Sequence, residues 1–108
     1  MSEITPMGQK ENRLATNMKI LEILKDGEFV QGKEIAYRLD MPVKLTQYHC
    51  SNLRMAGIIG TRRGPSGGYY LKKMPTVGQL YIALDLPYLV TGNKEVDLAF
   101  KNYLKMQL

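Results

Sequence analysis

The sequence holds one cysteine, Cys50, and one histidine, His49. A lone thiol cannot close a disulfide within the chain, nor supply the several convergent thiolates of a zinc or iron-sulfur site. A lone imidazole without partners at ligand or triad spacing gives neither a metal centre nor a general-base constellation. Carboxylate pairs, nucleophile triads and phosphate-binding loops are also missing, so catalysis is not expected. No apolar run approaches the roughly 18 residues that span a bilayer, and the opening MSEITPMGQKENR has no stretch suited to a signal peptide. The expectation is therefore a cytoplasmic protein with no membrane partner, no metal, no iron-sulfur cluster and no other cofactor. With 108 residues and no internal repeat, the chain has room for one compact unit by the prior of about 150 residues per domain.

What is present is an ordinary folding composition, 44% hydrophobic and 23% charged, with an uneven distribution of charge. The stretch from Lys33 to Lys73 holds eight basic residues (Lys33, Arg38, Lys44, Arg54, Arg62, Arg63, Lys72 and Lys73) against two acidic ones, Glu34 and Asp40. The rest of the chain is close to neutral. Positive charge gathered in the middle of a small domain is the footprint of a local polyanion contact.

Periodicity places the elements. Residues 1–11 show none and read as a flexible leader. Leu14, Met18, Leu21 and Leu24 or Lys25, with Ile20 and Ile23 beside them, predict a helix over 12–26, stopped by Gly27. Phe29 and Val30 are enough for a bridge or a small strand. Lys33 to Leu39 predicts a short second helix with Ile35, Ala36 and Leu39 inward, and Asp40-Met41-Pro42 a tight turn. A third helix over 43–56 turns Leu45, His49, Cys50, Leu53 and Ala56 inward and Lys44, Gln47, Tyr48, Ser51 and Asn52 outward. Residues 58–62 and 69–72 predict two strands joined by a loop with a basic tip, with Tyr69 inward and Tyr70 outward. Thr76 caps a helix to Leu84, which Pro87 ends. A last helix over 95–106 carries an apolar stripe of Val96, Ala99, Phe100, Tyr103 and Leu104.

Two short helices about a tight turn, then an amphipathic helix and a glycine-rich hairpin, give the order of a winged helix-turn-helix: mainly α with a small β-hairpin, plus a C-terminal helix. On this reading residues 12–86 form the DNA-binding domain and 87–108 a dimerisation segment. Its duplex contacts are expected from Lys33, Lys44, Gln47, Tyr48, Ser51, Asn52, Arg54, Arg62, Arg63, Gly64 and Ser66. The C-terminal stripe serves either a homodimer or the chain's own core.

Leu53-Arg54-Met55-Ala56-Gly57-Ile58-Ile59, followed by Arg63-Gly64-Pro65-Ser66-Gly67-Gly68-Tyr69-Tyr70-Leu71, resembles the IscR/NsrR/CymR family of bacterial winged-helix transcription regulators. Weaker similarity runs from residue 31 to 85. The resemblance implies that Gln47, near the start of the third helix, reads bases and that Arg63 of the wing enters the minor groove. With no cysteine after the wing, it is to a cluster-free, short member. A repressor on a partly palindromic operator is the expected function; the other reading kept open is a winged-helix protein-interaction module, such as a phage or mobile-element inhibitor.

Overall fold

The computed structural model describes residues 12–108, so the reading of residues 1–11 as a flexible leader lies outside it. Five helices and one hairpin follow in the order α1 (Arg13–Leu24), α2 (Gly32–Leu39), α3 (Val43–Met55), β1 (Ile59–Arg62), β2 (Gly68–Leu71), α4 (Val77–Leu84) and α5 (Lys94–Leu104). This is the mainly α winged architecture expected, with element ends shifted by one or two residues.

Asn12 starts α1, its side chain accepting from the Ala15 N–H at 3.1 Å. The helix buries Asn17, Ile20, Leu21 and Leu24, whereas Met18, expected inward, is half-exposed. The stripe is rotated because Asn17 is not an exposed polar residue: its amide donates to the Arg13 carbonyl at 2.8 Å and shares a 3.3 Å contact with His49 Nδ1. A buried amide paired in this way is tolerated where an unpaired one is costly.

Helix α2 buries Ile35 and Ala36 and ends on Asp40, which takes the left-handed conformation at φ 54°. Pro42 then opens α3 without any side-chain cap, and the first turn of α3 has no acidic residue. Its buried face is Thr46, His49, Cys50 and Leu53. Two inward expectations are corrected here: Leu45 is 44% exposed and Ala56 is exposed. The small hydroxyl residue takes the place assigned to Leu45, because Thr46 satisfies its own Oγ1 by donating to the Pro42 carbonyl at 3.1 Å.

The strands pair antiparallel, Ile59 opposite Leu71 and Arg62 opposite Gly68. Val30 adds a third, one-residue rung: its N–H donates to Tyr69 O at 2.9 Å, and Tyr69 N–H donates back at 2.8 Å. Both wing glycines are demanded by close approach. A Cβ on Gly67 would lie 2.1 Å from the Arg62 carbonyl oxygen, and one on Gly68, at φ +140°, would lie 2.6 Å from the Val30 carbonyl carbon.

Helix α4 begins in a reciprocal cap, Thr76 Oγ1 accepting from Gln79 N–H and Gln79 Oε1 accepting from Thr76 N–H. Asp85, left-handed at φ 54°, ends it two residues before Pro87. The core gathers Ile20, Leu21, Leu24, Val30, Ile35, Cys50, Leu53, Ile58, Ile59, Leu80 and Leu84. Outside it, α5 lies on α4. Phe100 and Tyr103 meet Tyr81 at ring-centroid distances of 5.6 and 6.1 Å, and Val77 N–H donates to Met106 O at 2.9 Å.

Gly68→Ala is expected to lower the unfolding free energy by about 2–3 kcal/mol in urea titrations, through strain plus the clash with Val30. Gly27, at φ +87° with open space around it, is the control, and Gly27→Ala should cost only the strain, about 1 kcal/mol.

Candidate nucleic-acid interface

The side of α3 opposite its buried face presents Lys44, Gln47 and Tyr48 to solvent, with Ser51 and Asn52 half-buried at its edges and Arg54 exposed near its end. The helix therefore offers long polar side chains along its first half, and short ones followed by Arg54 along its second. Val43 and Leu45, both exposed at its start, and Met55 near its end are apolar additions that the periodicity did not anticipate.

The wing loop is tied to the start of α2. Gln31 donates from Nε2 to the Pro65 carbonyl at 3.4 Å, and Lys33, Pro65, Ser66 and Gly67 line one shallow groove there. Gln47 belongs to the same neighbourhood, since a Cβ on Gly32 would lie 3.9 Å from its Cγ and 3.4 Å from the ring of Tyr69. Lys33, Gln47 and Ser66 are thus gathered around the N-terminus of α2, while Arg62, Arg63 and Gly64 stand on the exposed end of the hairpin.

Charge is left uncompensated over this region. Among the described residues the ion pairs are Glu22–Lys25, at the end of α1, and Glu34–Arg38, within α2. None engages Lys33, Lys44, Arg54, Arg62 or Arg63. Arg62 instead sits with its guanidinium carbon 5.1 Å from the centroid of the Phe29 ring. From sequence, Phe29 reads only as part of a bridge or a small strand. Because Val30 is buried and paired with Tyr69, its neighbour Phe29 falls on the opposite, outer face.

Beneath α3 the titratable groups are held neutral. Burial, and to a lesser degree the Arg13 charge, depresses the His49 pKa below its usual range. Burial pushes the Cys50 thiol up to about 11, so it is a small hydrophobe rather than a nucleophile or thiolate ligand.

The family described as "Rrf2: Iron-dependent Transcriptional regulator" matches residues 10–101. No curated protein matches the sequence. Among solved structures, that of CymR, titled the global cysteine regulator of B. subtilis, superposes with a TM-score of 0.74 at 22% identity, covering 90% of each chain. IscR of T. potens gives 0.62 at 22% identity over 88% of this chain and 76% of its own. At such identity the likeness establishes the winged-helix fold.

His49 makes the fold sensitive to acid in a defined direction. Above about pH 6.5 the imidazole is neutral in both folded and unfolded chains. Below it the unfolded chain takes up the proton first, so stability falls as pH drops towards the depressed folded value. Urea midpoints measured at pH 7.5 and 5.5 should therefore differ more for the unmodified protein than for His49→Gln.

Proposed function

The chain belongs to the Rrf2 family of transcriptional regulators, and from that premise we propose that it binds duplex DNA sequence-specifically, as a homodimer repressing transcription from a partly palindromic operator. Fold and family are those of transcription regulators rather than of enzymes. The observation that carries the reading is that Lys33 of α2, Lys44 and Arg54 of α3, and Arg62 and Arg63 of the wing are exposed and enter no ion pair among the described residues. A surface of this kind gains affinity by releasing counterions from the phosphate backbone.

In this reading α3 enters the major groove. Gln47, near its start, offers the amide that pairs with adenine edges; Tyr48, Ser51 and Asn52 flank it, and Lys44 and Arg54 meet phosphates towards its two ends. Lys33 and Ser66 approach the backbone where α2 and the wing loop meet. Arg62 and Arg63 follow the wing to the adjacent groove, and Gly64 keeps the loop narrow enough to come close. Residues 12–86 are the DNA-binding part, and 87–108 the dimerisation segment. A cytoplasmic place of action goes with this role.

The word iron in the family's description raises the question of a metal. The residues do not fit one: the only thiol is enclosed in the core and held protonated, and no group of three or more His, Cys, Asp or Glu among the described residues is placed to hold a metal ion. No step of the proposed function passes through iron.

What supports the dimer is the apolar surface that α5 and α4 leave outside the chain's own packing. Phe100, Tyr103 and Leu104 stay only half-buried on α4, and Val96, Leu98 and Ala99 of α5 and Ile82 of α4 are exposed. A domain of this size gains from covering such a face with a symmetry mate.

Selection from random duplex DNA should enrich a motif with two half-sites centred about 10 bp or a multiple apart. Arg63→Ala should weaken binding to it by about 1–3 kcal/mol. Failure to enrich any motif at moderate salt would move the assignment to a protein-interaction module. Val96→Asp with Ala99→Asp leaves the Tyr81 contacts alone, and in sedimentation it should shift the protein from dimer to monomer and weaken operator binding.

A further inference from the structure

The hairpin has an outer face that neither the core nor α3 uses. By register, Gly60, Arg62 and Tyr70 share it, while Ile59, Tyr69 and Leu71 turn towards the interior. Gly60 leaves bare backbone where a Cβ would lie 2.6 Å from the Tyr70 ring, so that ring lies across the strand. Phe29 meets Tyr70 edge to face, with centroids 5.3 Å apart and planes at 67°. Arg62 completes the row over Phe29.

Three separate segments therefore build one ladder ending in a cation. Its middle member is fixed from below: Val30, the next residue, is buried and held to Tyr69 by two backbone hydrogen bonds. The ring offers Arg62 no acceptor, and no carboxylate among the described residues pairs with it, so its N–H donors stay available. A free arginine must lose much rotamer freedom when it meets an anion; one already resting on an aromatic face has lost part of it beforehand.

We propose that Phe29 is a positioning residue for DNA binding: it holds Arg62 in place on the outer face of the wing, ready to meet a backbone phosphate, with Tyr70 and Gly60 supporting the ring. This rests on the duplex-DNA reading above. It makes a residue upstream of the helix-turn-helix part of the wing's contact, and it separates the two adjacent arginines into one preordered, Arg62, and one at the open loop, Arg63.

The test is a double-mutant cycle read by fluorescence anisotropy on random-sequence duplex DNA in dilute salt, where a phosphate contact counts whatever the sequence. Phe29→Leu should weaken binding about three- to fivefold with Arg62 present and less than about twofold in the Arg62→Ala background, and Phe29→Tyr, which keeps the ring, should stay within about twofold of the unmodified protein. Urea midpoints establish that each variant is folded. In DNA-free protein the Arg62 side-chain protons should show an upfield ring-current shift by NMR that Phe29→Leu abolishes. Equal losses with and without Arg62, a Phe29→Tyr variant as weak as Phe29→Leu, or no ring-current shift would overturn the positioning role while leaving the DNA reading intact. Absence of salt-dependent duplex binding by the unmodified protein would overturn both.

Discussion

Much of the molecule's upper surface depends on two positions where the backbone carries no side chain. At Gly67 the wing loop turns in against the Arg62 carbonyl, and at Gly68 the second strand comes close enough to Val30 for the paired hydrogen bonds with Tyr69 to form. From that contact three placements follow. The hairpin is anchored to the link between α1 and α2; Gln31 comes within reach of the loop carbonyl at Pro65; and Phe29 is set on the outer face beside Tyr70. Any Cβ at either glycine pushes on backbone, which cannot rotate out of the way as the end of a flexible side chain can.

A second constraint lies under α3. Its buried face is part polar: Thr46 is accommodated there by bonding back to Pro42, and His49 meets Asn17 of α1. Asn17 Oδ1 has no partner among the described groups. The amide is held by its nitrogen alone, to the Arg13 carbonyl and the imidazole. The His49–Asn17 contact and the burial of Thr46, Cys50 and Leu53 fix the rotation of α3 about its axis, and the rotation decides that Gln47 and Tyr48 face outward.

The order of elements was legible from sequence because most boundaries carry their own chemistry: Gly27 after α1, Asp40-Met41-Pro42 between α2 and α3, and the cap at Thr76 before α4. What misled was hydrophobicity taken as burial. Leu45 and Met18 are apolar and so read as inward, whereas Thr46 holds the first place by bonding its hydroxyl back to Pro42 and Asn17 the second by the hydrogen bonds of its amide nitrogen. Phe29 was passed over for a related reason: two residues define no periodicity, and its partners Arg62 and Tyr70 lie far along the chain. The outward residues of α3 were found readily, because a helix with one committed face leaves the other by geometry.

The uncapped start of α3 adds something to the surface that no count of lysines and arginines includes. Pro42 supplies no side-chain acceptor and the first turn contains no carboxylate, so the amides at that end are answered by no side chain. Aligned peptide dipoles concentrate there the equivalent of about half a positive charge. This charge belongs to the main chain: it has no pKa, no rotamers and no side chain to substitute. Neutralising Lys44 would remove a mobile cation from the helix and leave in place a fixed one, whose direction is set by the helix axis.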